Sequence, residues 1–129
     1  MATEITQTLR TVPSSWLRTG VSAAFGAAAV LVGTIAKNTS LGLLEVVNTS
    51  ATKYYVQVHN KATAPVNTNV PVWVGVLPAT APSYVADFSA LAGVNCPLGC
   101  YIAISTTAPT LTYPAGTDAV ASFLYAQAP

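Results

Sequence analysis

Residues 53–60, Lys-Tyr-Tyr-Val-Gln-Val-His-Asn, alternate as an extended strand does, with Tyr54, Val56 and Val58 on one side and Tyr55, Gln57 and His59 on the other. The pattern predicts a strand with one dry face and one wetter face. A second β-prone run, 41–47, precedes it, and Asn48-Thr49-Ser50-Ala51-Thr52 between them favours turns through side-chain to backbone hydrogen bonds. The two runs are therefore expected to pair as a hairpin. At 70–76 the alternation puts four valines on one face and Pro71, Trp73 and Gly75 on the other. Pro71 lacks an N–H, so this strand is expected to begin at a sheet edge or to pair only beyond Pro71. Further strands are expected at 83–88, 101–105 and about 119–125, with a less regular one around Val30 and Val32.

Six or seven short strands separated by Pro, Gly, Asn and Ser predict an all-β fold, an antiparallel β-sandwich of jelly-roll-like form with an extended N-terminal arm. Residues 1–40 read as the arm and first strand, and 41–129 as the sandwich domain. The apolar run 21–35 contains Gly26, Gly33, Ser22 and Thr34 and falls short of the about 20 apolar residues a spanning helix needs, so no membrane association is expected. Glu4 in the would-be basic region, and no clean small-x-small site after the run, argue against a secretory signal.

Charge changes the picture most. Only 7% of the chain is charged, against about 25% in an ordinary soluble protein. A surface so poor in ionic groups carries broad neutral patches, which usually mark contact with another chain. The five basic residues, Arg10, Arg18, Lys37, Lys53 and Lys61, are scattered singly, and nucleic-acid binding by counterion release needs them clustered. Direct nucleic-acid binding is therefore not expected.

Candidate chemistry is sparse. The acidic residues Glu4, Glu45, Asp87 and Asp118 lie far apart in sequence, whereas glycosidase or aspartyl chemistry needs a carboxylate pair. His59 is the sole histidine, and its place on the wetter face predicts an exposed or interface imidazole. One His and two Cys do not make a four-ligand zinc site. No catalytic, cofactor-binding or metal-ligating residues are assigned. Cys96 and Cys100 bracket Pro-Leu-Gly, a spacing open to a disulfide or to two semi-buried thiols beside a tight turn. Trp16 either docks on a partner or closes the local core. The expected contact residues are Trp16, Leu17, Phe25, Val30, Val32, Tyr55 and Trp73.

The segment 45–122 resembles a β-sandwich module of virion structural proteins from tailed bacteriophages. The resemblance rests on Val-Asn-Thr-Ser-Ala-Thr-Lys-Tyr-Tyr-Val-Gln-Val-His-Asn at 47–60, Ala-Thr-Ala-Pro at 62–65 with Val-Pro at 70–71, and Asp87-Phe88. Its strongest part is Gly-Cys-Tyr-Ile-Ala-Ile-Ser-Thr-Thr at 99–107. The Cys96/Cys100 pair and the apolar residues of 1–40 depart from that pattern. The resemblance implies a non-enzymatic capsid decoration or cement protein, located in the virion and assembled in the host cytoplasm. Its implied partners are further copies of itself, in a symmetric oligomer such as a trimer, and virion proteins such as the major capsid protein. The alternative it implies is a tail, neck, fibre or baseplate component with a carbohydrate-binding surface, for which Tyr55, Trp73 and Tyr113 are the candidate stacking rings.

Overall fold

Nine strands are divided between two antiparallel sheets in the computed structural model, which describes residues 17–80, 84–88 and 93–127. They are β1 (Leu17–Val21), β2 (Val30–Val32), β3 (Thr39–Asn48), β4 (Tyr54–Asn60), β5 (Trp73–Leu77), β6 (Tyr84–Asp87), β7 (Val94–Cys96), β8 (Cys100–Ser105) and β9 (Ala119–Gln127). The first sheet runs β1-β9-β3-β6, with the short β7 also on β3, and the second runs β2-β8-β4-β5. Leaving out β7, the chain pairs β1 with β9, β2 with β8, β3 with β6 and β4 with β5. That nested pairing, rolled into two sheets, is a jelly roll. Trp16 and the rest of 1–16 lie outside the described residues, and residues 17–32 of the predicted arm segment supply an edge strand to each sheet.

The core lies between the sheets, where Leu41, Leu44, Val46, Val56, Val58, Ile102 and Ile104 are fully buried. Strict alternation from Leu41 would bury Glu45. The register of β3 against β9 slips between Leu41 and Leu43, a bulge at Gly42 that turns Leu44 and Val46 inward and Glu45 outward. Nothing in the residue pattern predicted that slip, because both registers offer leucines to the core.

The expected hairpin of 41–47 with 53–60 does not form. β3 and β4 belong to different sheets, and the link between them is a corner rather than a hairpin turn. Asn48 builds it: its amide nitrogen donates to the carbonyls of Thr52 (2.7 Å) and Pro78 (3.1 Å), and its oxygen accepts from the Ser50 N–H (2.9 Å). The turn chemistry was read correctly. What sequence did not reveal is that this turn crosses the core instead of reversing along one sheet.

The wetter face assigned to β4 is also corrected. Gln57 and His59 are fully buried, because the loops 61–72 and 106–114 lie over the outer face of the second sheet. The two loops interlock through Thr68 N–H to Leu111 O (2.8 Å), Leu111 N–H to Asn69 O (2.9 Å) and Tyr113 Oη–H to Pro65 O (2.7 Å). They form a third layer in which Leu111 is completely buried although it stands outside the inter-sheet cluster.

Candidate interaction surfaces

The expected contact residues separate into two groups. Phe25 and Val32 are turned into the chain's own core, Phe25 pinned by a backbone pair with Ala119 (2.8 and 3.0 Å), so neither offers surface to a partner. Val30 is half-buried against the same core. Leu17 is exposed on β1. Tyr55 is half-buried on β4, with the Lys53 ammonium 5.0 Å from its ring centre, a cation–π contact at the surface. Trp73 is half-buried, stacked on Tyr84 at 6.1 Å and edge-on to Phe88 at 5.0 Å, and it closes the flank between β5 and β6. Tyr113, the third candidate stacking ring, is held by its hydroxyl on Pro65 O.

Two surfaces that residue reading did not single out emerge from the register. On the outer face of the first sheet, one row across four strands is Val21, Ser122, Glu45 and Val85, and the next is Thr19, Leu124, Leu43 and Asp87. All of these but Asp87 line a shallow groove of about 370 Å³ that also touches Gly20 and Phe123. Its walls are apolar, with Val21, Leu43 and Val85 exposed, and Glu45 sits within it accepting a long hydrogen bond from the Ser122 hydroxyl (3.4 Å). A second hollow of about 340 Å³ is formed by the alanine-rich loop 22–30 with Thr117. No residue signal could have found the groove, because the bulge at Gly42 that decides the face of Leu43 and Glu45 appears only in the register.

The other surface is the flank bearing β5. Val70, Val72, Val74 and Val76 are all exposed, and β5, which begins at Trp73 beyond Pro71, is an edge strand. From residue 62 to residue 86 the sequence contains no charged side chain. Val70 is 73% and Val72 52% exposed, which makes this the most open apolar run among the described residues.

The buried polar chemistry is structural in character. The Gln57 amide nitrogen donates to three loop carbonyls, those of Thr107 (3.1 Å), Ala108 (3.3 Å) and Thr110 (3.2 Å), and so clamps the loop layer to β4. Its oxygen then faces His59 Nε2 at 2.9 Å as an acceptor, which assigns the proton of the neutral imidazole to Nε2. Nδ1 is left buried with no hydrogen-bond partner. Burial first, and the nearby Lys61 charge second, lower the His59 pKa to about 4. The predicted exposed imidazole is therefore a buried neutral one.

At the opposite end of β4, the Tyr54 hydroxyl donates to the Asp118 carboxylate, and that hydrogen bond together with burial raises the tyrosine pKa. Cys96 and Cys100 are free thiols, both completely buried, at the end of β7 and the start of β8. Their mutual hydrogen bond, and burial, push the Cys100 thiol up, which keeps it protonated. The turn between them needs Gly99, whose φ of 138° and whose approach to the Lys61 carbonyl leave no room for a Cβ. Among the described residues no three His, Cys, Asp or Glu side chains gather as a metal site, and no helix is long and apolar enough to cross a membrane. Comparison with protein-family models, with curated proteins and with solved structures returns no match.

Proposed function

We propose that this chain is a non-enzymatic structural subunit of a virus particle, a decoration or cement protein of a tailed-bacteriophage head. The observation that carries the reading is the combination of very low charge with apolar surface concentrated in two places, the groove on the first sheet and the valine-bearing β5 flank. Such surfaces favour association because covering them removes apolar area from water at about 25 cal/mol per Å². Each contact is modest, and symmetry multiplies it. Jelly rolls serve in viral capsid and lectin domains alike, so the surface and not the fold argues for this role.

The sequence resemblance adds the particle. Its strongest run, 99–107, contains β8, every residue of which is buried, and its 47–60 run contains the Asn48 corner and β4. The alternative role, a tail, neck, fibre or baseplate part with a sugar-binding tip, calls for a free aromatic face. Tyr55, Trp73 and Tyr113 are each engaged within the chain, which favours the decoration role.

The test is a map of particles assembled with the full-length chain carrying a small C-terminal tag. Density for this jelly roll on the head, with the groove or the β5 flank covered by neighbours, supports the proposal. Particles that assemble without it, and heads that neither bind it nor gain stability to heat or dilution, overturn it.

A further inference from the structure

Five of the described strands lie at sheet edges, and four of them carry the usual guards against strand addition. β1 bears Arg18, β6 bears Asp87, and β2 and β7 are each three residues long. Among the described residues, β5 has no such guard within its span. It is five residues long, it lies last in the second sheet, and no charge stands within the sequence from 62 to 86. Two prolines flank it, Pro71 before the strand and Pro78 directly after it, and neither lies within it.

We infer that β5 pairs edge to edge, antiparallel, with β5 of a second copy of this chain, joining two four-stranded sheets into one. The inference rests on the structural role proposed above and names the contact that performs it. A strand edge presents backbone N–H and C=O groups that only another extended segment satisfies in register, which sets the chemistry of the occupant. Identity of the occupant follows from self-complementarity. With the two-fold axis at Gly75, Val74 of one copy lies opposite Val76 of the other, and Trp73 opposite Leu77, so the exposed valines become one continuous apolar row.

No like charges meet in that register. A partner strand guarded by Lys or Glu would bury an unpaired charge against valine, whereas a second β5 brings none. Gly75 also has its inner side filled already: a Cβ there would strike the Trp73 ring and the Tyr84 hydroxyl, so the aromatic pair backs the strand and holds it flat. A contact of this length falls below the about 1,200 Å² of a standard interface, so pairing in isolation is expected to be weak and concentration-dependent.

The experiment is sedimentation velocity on the full-length chain across a hundredfold range of concentration, with backbone amide exchange followed at both ends of the range. The expected result is reversible self-association in which exchange within 73–77 slows at least tenfold at high concentration. Val74→Lys should abolish both changes while leaving the thermal melt intact, and Leu98→Lys, at an exposed apolar position outside both the groove and the β5 flank, should leave both in place. Association with unaltered exchange at 73–77 overturns the β5 assignment and leaves the particle role to be judged by the map. A chain that stays monomeric throughout overturns the assignment too, as does a well-folded Val74→Lys variant that associates like the parent.

Discussion

Acid should weaken this protein through a single imidazole. His59 lies fully buried beneath the loop layer, with Nε2–H held by Gln57 and Nδ1 without a partner, and its pKa is lowered from 6.5 to about 4. The groups that face or flank it are Gln57 on its own strand, Tyr101 across the pairing with β8, and Lys61, whose positive charge adds to the cost of protonation. As pH falls, the unfolded chain takes up the proton near 6.5 and the folded chain only near 4. Folding stability is therefore complete above 6.5 and declines between 6.5 and 4. At about 1.4 kcal/mol per pH unit over that window, the loss approaches about 3 kcal/mol, a large share of the about 5–15 kcal/mol that holds a domain together. The assay is urea unfolding at half-unit steps from pH 4 to 8 for the parent and for His59→Phe. The variant leaves the Gln57 oxygen without its donor and should be weaker at pH 8 by about 1–3 kcal/mol, but its stability should fall less steeply towards pH 4. Carboxylates titrate in both proteins and cancel in the difference. Parallel profiles for the two proteins between pH 6.5 and 4 would refute the reasoning.

Other outcomes follow from the same network of contacts. Asn48→Ala should cost about 2–3 kcal/mol in urea unfolding, because it strips the corner between β3 and β4 of two donors and an acceptor; Asn48→Asp, which keeps the acceptor for Ser50 but sets a carboxylate oxygen against the Thr52 and Pro78 carbonyls, should recover none of that at neutral pH. Gln57→Leu should release the loop layer, with faster amide exchange across 106–113 and a loss of about 1–3 kcal/mol, while exchange in β3 and β9 changes little. Cys96 and Cys100 should resist a thiol-specific reagent in the native protein and react at once in urea. Fast labelling under native conditions would contradict their burial.

Local signals predicted strands well. The alternation at 53–60, the second half of that at 70–76 and the short apolar run at 101–105 became strands, and the valine strand lies at a sheet edge and begins only at Trp73, beyond Pro71. Other readings failed where the deciding contact was remote. β7 went unseen because three residues carry no measurable period, and it exists only because β3 is long enough to pair with it beside β6. His59 was misread because alternation reports two faces of a strand but not what lies over them. The cover comes from the loop 61–72 together with the loop 106–114, which lies about 50 residues further along the chain and is tied down by Gln57. Of the expected contact residues, Phe25 and Val32 proved to be core, since an apolar residue in an irregular run has no period to tell inside from outside.

What the chain's own pattern determined is the all-β class, the approximate place of most strands and the shortage of charge, because each depends on neighbours within a few residues. What only the tertiary structure decided is the jelly-roll winding, the crossing at Asn48, the bulge at Gly42 that turns Glu45 outward, and the burial of His59. Those depend on which strand a segment meets, and that choice is set by packing of both sheets at once. The surfaces on which the proposed role rests belong to the second kind: valines and leucines are legible as letters, but their exposure is decided by the strands and loops that leave them uncovered.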